Sequence, residues 1–193
     1  MHPAGSVIVF TVASGLGFGL LTWLGIGLPE VRGWVAFWHY ALGFSLAGGG
    51  LLASTFHLGN PQRFLMAFSQ WRSSWLSREG CLAVAALAVL GLFAIGKIFL
   101  EANWQVLGYL GAILAVLTVF ATSMIYAQLK TVPRWNHWST PALFLLLSLS
   151  GGGLLAAQIL PSMILLALAG ALQLVAWLSG DGRFESRGTD IGT

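Results

Sequence analysis

The sequence predicts an all-α fold, a polytopic transmembrane helix bundle with six spans in this chain. Three observations predict it. Hydrophobic residues make up 57% of the 193 positions and charged residues only 8%, where an ordinary soluble domain carries about 25% charged residues. The mean hydropathy is +0.83. The apolar residues also gather into runs that match the roughly 20 residues needed to cross about 30 Å of hydrocarbon.

The first run, Ser6 to Leu28, lacks a positively charged leader and is too long for a cleaved signal core, so it is expected to remain as a span. "PEVR" separates it from the second run, Gly33 to Phe56. A polar, aromatic stretch then leads to the third, Gly80 to Leu100, and "EANW" leads to the fourth, Gln105 to Leu129. The longer "KTVPRWNHWST" precedes the fifth, Pro141 to Leu160, and Pro161 marks the boundary with the sixth, Ser162 to Leu178. A lone proline kinks a helix as readily as it ends one, so this boundary has the least support. The bundle is thus expected over 1–178, with residues 179–193 a polar cytoplasmic tail or loop.

Glycine contributes 25 residues, many inside the spans. A nucleotide-loop reading of Gly15, Gly17 and Gly19 fails, because no strand precedes them and the surroundings are lipid. Close helix packing fits better, with Gly15 and Gly19 spaced as small-xxx-small. Cys81 is the one cysteine, which excludes an internal disulfide or a cysteine cluster.

Lys and Arg divide unevenly between the two ends of such a bundle. The end bearing the N-terminus receives Arg63, Arg72, Arg78, Lys130, Arg134, Arg183 and Arg187, and the other end only Arg32 and Lys97. The positive-inside rule makes the first end cytoplasmic. The polar stretch between the second and third runs, Phe56 to Gly80, therefore faces inward. After Pro61, Phe64, Phe68, Trp71 and Trp75 recur at steps of four, three and four, which predicts an interfacial amphipathic segment over 61–76. Its arginines would meet lipid phosphates or an acidic partner.

Glu79 lies at the head of the third run, where a carboxylate beside hydrocarbon is costly unless paired, hydrated or useful. Two readings stand side by side. With Ser77 as N-cap, Glu79 in the first turn would gain from the helix dipole. Alternatively, Glu79 and His57, at matching membrane levels, would share a pocket that supplies a bound quinone with a hydrogen bond and a proton route. Haem is not expected. A membrane haem needs two facing histidines at one depth, whereas His39 and His57 lie 18 residues, or about 27 Å of helix, apart. His137 falls in a proline-broken loop.

Several motifs carry a family resemblance. "HLGNPQR" (His57 to Arg63), "SREG" (Ser77 to Gly80), "IYAQLKTVPRW" (Ile125 to Trp135), "TP" at Thr140 and Pro141 and the glycines from Gly151 are similar to those of the membrane anchor subunits of the DMSO reductase family, which include the anchor of cytoplasmic-facing sulfite dehydrogenase. The likeness covers the second to fifth spans and is specific in the two cytoplasmic loops. It implies a haem-free bundle, usually of eight helices, in a bacterial inner membrane. It also implies a ferredoxin-like iron–sulfur subunit as partner and, beyond that, a molybdopterin catalytic subunit, so that clusters and molybdopterin reside on partners alone.

The resemblance places a site for ubiquinone or menaquinone near that junction and carries two roles onto His57 and Glu79. Arg63, Arg78, Trp71, Trp75 and Tyr126 are secondary candidates for the pocket or its rim. The family continues for two more helices after a loop like "RFESRGTDIGT", so a shortened anchor and an incomplete chain are both open. With the docking loops cytoplasmic, the expected function is to pass electrons from sulfite oxidation to the quinone pool. The alternatives are a DMSO reductase anchor oxidising menaquinol, and a purely structural anchor.

Overall fold

In a computed structural model the described residues are 5–55, 68–100, 102, 104–132 and 134–179. They form six helices: α1 Gly5–Gly25, α2 Gly33–Thr55, α3 Trp75–Ile95, α4 Gln105–Ala127, α5 Ser139–Leu155 and α6 Ile159–Leu178. A π-helical turn, Gly96–Leu100, prolongs α3. Five of the helices are long and apolar enough to span a membrane, and α5, at 17 residues, is shorter. The six expected runs all become helices, and no strand occurs among the described residues.

Helix α1 is the centre of the bundle and packs against α2, α4 and α5. Helix α3 pairs with α4 along its length, and α6 rests on α5 at the periphery. The approach is closest where side chains are smallest. A Cβ on Gly17 would overlap the Ala47 backbone in α2, and one on Gly19 would overlap the Ser148 carbonyl in α5. Gly152 is pressed in turn against the Gly19 backbone. Lipid offers apolar side chains the same environment as the helix interface, so van der Waals fit and interhelical hydrogen bonds must hold these helices together. Ser148 supplies one such bond to the Gly15 carbonyl (2.6 Å), and the Trp23 indole supplies another to the Leu149 carbonyl (2.8 Å). At the far end Gln105 donates to the Gly25 carbonyl (2.9 Å) and ties α4 to the end of α1. The expected close packing is met at Gly19, whereas at Gly15 the nearest atom to a Cβ position is Ser148 Cβ at 4.0 Å, so a side chain there would make only ordinary contact.

Several boundaries differ from the sequence reading. Helix α1 stops at Gly25, and residues 26–28 form a turn in which Leu28 N–H reaches the Trp23 carbonyl while Gly27 takes φ +90°. Helix α5 ends at Leu155, five residues before the expected boundary, in the same kind of turn: Gln158 N–H donates to the Gly153 carbonyl and Ala157 N–H to the Leu154 carbonyl. Ala157 occupies the left-handed position (φ 55°) where glycine is usual, so no glycine marks the stop. Pro161 falls in the first turn of α6, where its missing N–H has no intrahelical partner to lose.

The third helix begins at Trp75, not Gly80. Its N-cap is Ser74, in extended conformation (φ −114°, ψ 126°), with its side chain accepting from Ser77 N–H. The reading of Ser77 as N-cap and Glu79 as a first-turn acid is therefore corrected, since Glu79 lies in the second turn. Of the expected interfacial segment over 61–76, residues 61–67 lie outside the described residues, and the expected helical face is corrected in the rest. Residues 69–73 are turns and Trp75 belongs to α3, so Phe68, Trp71 and Trp75 do not share one continuous helix. Lys97, counted with Arg32 among the charges of the far end, lies in the π turn, 8% exposed, its ammonium over the Phe93 ring at 5.4 Å.

The packing makes a direct prediction. Gly19→Val and Gly152→Val should each destabilise the bundle by about 1–3 kcal/mol or more, the usual cost of overpacking. Gly49→Ala should be close to neutral, because nothing lies within 4 Å of its Cβ position. Denaturant unfolding in detergent micelles checks both.

Candidate functional site

Glu79 is the one acidic residue placed inside a described spanning helix, and it is 3% exposed. It sits in the α3–α4 seam, where Thr122 Oγ1 lies 2.5 Å from its Oε1. The same hydroxyl lies 3.0 Å from the Thr118 carbonyl, one turn back along α4. A threonine hydroxyl has a single proton. If Glu79 is ionised, that proton goes to the carboxylate. If Glu79 is protonated, the carboxyl donates to Thr122 Oγ1 and the threonine proton turns to the Thr118 carbonyl. Either protonation state thus keeps a hydrogen bond, and the pair can hold or release a proton without leaving an orphaned buried group.

Tyr126 stands one turn beyond Thr122 on α4. It stacks on Phe144 of α5, with ring centroids 5.5 Å apart and planes 30° apart, and meets Trp135 edge-on at 5.6 Å. The loop that carries Trp135 is folded onto the end of α4 by Asn136, which donates to the Ala127 carbonyl (2.6 Å). His137 Nδ1 accepts from Ser139 N–H (3.2 Å) and from the Ser139 hydroxyl (2.8 Å), so this histidine helps to start α5. Glu79, Thr122, Tyr126, Phe144 and Trp135 form a polar group backed by flat aromatic faces.

Other candidates fall elsewhere. Arg78 donates from Nε to the Trp71 carbonyl (2.9 Å) and from Nη2 to the Arg72 carbonyl (2.6 Å), and its guanidinium lies 4.4 Å over the Trp75 ring. These contacts staple the preceding turn to the first turn of α3. Trp75 meets Phe120 edge-on at 6.0 Å, and Trp71 is 57% exposed. Together Trp71, Trp75, Arg78, Cys81, Leu117 and Phe120 border a cleft of about 350 Å³ that faces outward from α3 and α4. At 3.6 residues per turn, Leu117 lies roughly half a turn and Phe120 roughly a third of a turn round α4 from Tyr126. The structure thus groups Glu79 with Tyr126, and Arg78 with the two tryptophans. His57 and Arg63 lie outside the described residues.

Sequence reasoning passed over Thr122 and Phe144. A signal was available for the first: Thr118, Thr122 and Tyr126 are spaced by four along α4 and place hydroxyls on one face of an apolar helix. Nothing local marks Phe144, which enters from another helix.

The DMSO reductase anchor subunit (DmsC) family matches residues 2–180, nearly the whole chain. The chain belongs to this family of anchor subunits. It is 35% identical to the C subunit of sulfite dehydrogenase from Allochromatium vinosum, over 81% of this chain and 55% of that one. To YnfH, an anaerobic dimethyl sulfoxide reductase polypeptide of Escherichia coli, it is 33% identical, over 80% and 56% respectively. The C polypeptide of anaerobic dimethyl sulfoxide reductase from the same organism matches at 32%, over 65% and 42%. The chain spans about half the length of these curated relatives. No solved structure matches it. As an anchor subunit it is a membrane protein, in keeping with its five spanning helices.

The anchor's buried carboxyl is open to test. Thr122→Val, which keeps the shape and loses the hydroxyl, should destabilise the subunit by about 1–3 kcal/mol, the cost of leaving a buried polar group short of a partner. Thr122→Ser should recover most of the loss. In the Glu79→Gln background the Thr122→Val penalty should change by roughly 0.5 kcal/mol or more, which a double-mutant unfolding cycle measures.

Proposed function

We propose that this anchor subunit is the quinone-reactive membrane component of a molybdopterin and iron–sulfur oxidoreductase, passing electrons from cytoplasmic sulfite oxidation to the quinone pool. The observation that carries the reading is the Glu79–Thr122 pair, a buried carboxyl able to exchange a proton, beside the aromatic faces of Tyr126, Phe144 and Trp135. Reduction of a quinone to a quinol takes two electrons and two protons. The electrons come from the iron–sulfur partner, which receives them from the molybdopterin subunit. Glu79 delivers one proton to one ring oxygen, His57 as imidazolium delivers the second to the other oxygen, and both are reprotonated from the cytoplasmic side. Aromatic walls suit a planar ring and exclude water from it. Arg63, Arg72 and Arg78 belong to the surface that receives the iron–sulfur subunit, with Arg78 acting through the turn it holds. Trp71 and Trp75 border the outward cleft on the other flank of α4 and stand apart from the ring site.

Two considerations support the sulfite-oxidising direction. Among the described residues Arg72, Arg78, Lys130 and Arg134 lie toward the end that bears the N-terminus and the Glu79 site, against Arg32 and Lys97 toward the other, which favours a cytoplasmic docking face. A sulfite dehydrogenase subunit is among the relatives. The opposite direction, quinol oxidation coupled to sulfoxide reduction, is favoured by the names of the other two.

The complex purified through this subunit decides among these. Offered sulfite and a quinone it should form sulfate and quinol, whereas DMSO-dependent quinol oxidation with no response to sulfite would reverse the direction. Glu79→Gln and His57→Ala should lower quinone-linked turnover by about 10²–10⁴-fold, the usual range for a lost general acid or base. Assembly and artificial-dye activity should be retained. Unchanged quinone kinetics would leave the subunit a structural anchor.

Orientation has its own test. In a Cys81→Ala background, Ser69→Cys should resist an impermeant thiol reagent added outside intact cells, and Glu30→Cys should react. The reverse pattern would move the docking face to the other side of the membrane.

A further inference from the structure

A quinone head group at Glu79 needs a way in from the bilayer for its isoprenoid tail, and two openings flank α4 at this level. One is the cleft bordered by Trp75, Arg78 and Leu117. The other is a groove of about 240 Å³ between α1, α4 and α5. Its mouth is formed by Val12 and Leu147, 55% and 50% exposed, and its floor by Gly15, Val119 and Ser148. The geometry points to the second groove as the path of the tail, an inference that rests on the quinone reading above.

Three features decide between the openings. Val119 is one turn from Thr122, so the floor of the groove runs toward the hydroxyl that holds Glu79. Phe144 is shared: it lines the groove and carries Tyr126 stacked on it at 5.5 Å, so groove and polar group meet at one ring. The cleft lies on the opposite flank of α4, with Phe120 filled in by the Trp75 edge and the Arg78 guanidinium fixed across Trp75. The groove is also built for a chain without polar groups. Its hydroxyls are already bonded within the protein, Thr11 to the Val7 carbonyl (3.0 Å) and Ser148 to the Gly15 carbonyl (2.6 Å), which leaves apolar walls. The absence of a Cβ at Gly15 keeps the passage open, since the nearest atom to that position is Ser148 Cβ at 4.0 Å.

The test closes each opening from its exposed edge, in the whole complex reconstituted in nanodiscs. Val12→Trp and Leu147→Trp narrow the groove at positions whose exposure lets the fold accept them, and Leu117→Trp narrows the cleft. The groove variants should raise KM for a long-tailed quinone by about tenfold, on the order of losing two buried methylene contacts. They should leave KM for a tailless quinone and the dye-linked rate unchanged, and Leu117→Trp should leave all three quantities unchanged. A quinone with a diazirine in its second isoprene unit should label peptides of α1 and α5. Labelling of α3, or a tail-dependent effect of Leu117→Trp alone, would overturn the groove assignment, as would equal effects of the groove variants on both quinones. If the unmodified complex shows no quinone-linked turnover and no labelling, the quinone reading itself falls and the groove assignment with it.

Discussion

Everything else in this bundle depends on how closely α1 can approach its neighbours. In lipid, apolar side chains gain nothing by leaving the solvent, so a helix at the centre of a bundle is held by dispersion at short range and by hydrogen bonds that water does not contest. Gly17 lets α2 reach the backbone of α1, and Gly19 with Gly152 does the same for α5. That closeness brings the Ser148 hydroxyl to the Gly15 carbonyl and the Trp23 indole to the Leu149 carbonyl. It also fixes where α4 can lie, because α4 packs on both α1 and α5.

The position of α4 then sets the environment of Glu79. A carboxyl group near hydrocarbon is tolerable only with a partner, and α4 presents Thr122 at the level where α3 carries the acid. The next turn of α4 presents Tyr126 to Phe144. A shift of α4 by one residue would turn Thr122 about 100° away from α3 and leave the carboxyl facing apolar walls. Glycine contacts far from the polar group thus hold the geometry on which that group relies.

Arg78 and Glu79 are adjacent in sequence and have separate duties because a helix separates neighbours by about 100°. Arg78 turns outward and back to the carbonyls of Trp71 and Arg72, closing the turn that leads into α3. Glu79 turns inward to the seam. The charged cluster in "WRSSWLSREG" is accordingly two structures in one stretch, a staple at the surface and a polar centre between helices.

The sequence alone determined the class of the molecule and the rough extent of its helices, because hydrocarbon demands long apolar runs with internally satisfied backbones and such runs are visible in composition. It also singled out Glu79, since a charge in such a run is conspicuous, and the motifs around it pointed to the anchor family that the comparisons establish. Helix ends were less legible. Ala157 ends α5 in a conformation where a glycine would have announced the stop, and three serines in "SSWLS" compete for the N-cap that Ser74 takes. Only the tertiary structure decided what meets what. Thr122 and Phe144 join Glu79 and Tyr126 from helices distant in sequence, and Arg78 and the tryptophans turn to the other flank. The physical reason is that burial in a bilayer is set by composition, which a single segment carries, whereas partnership is set by the rotation and depth of one helix against another, which depends on small residues in both.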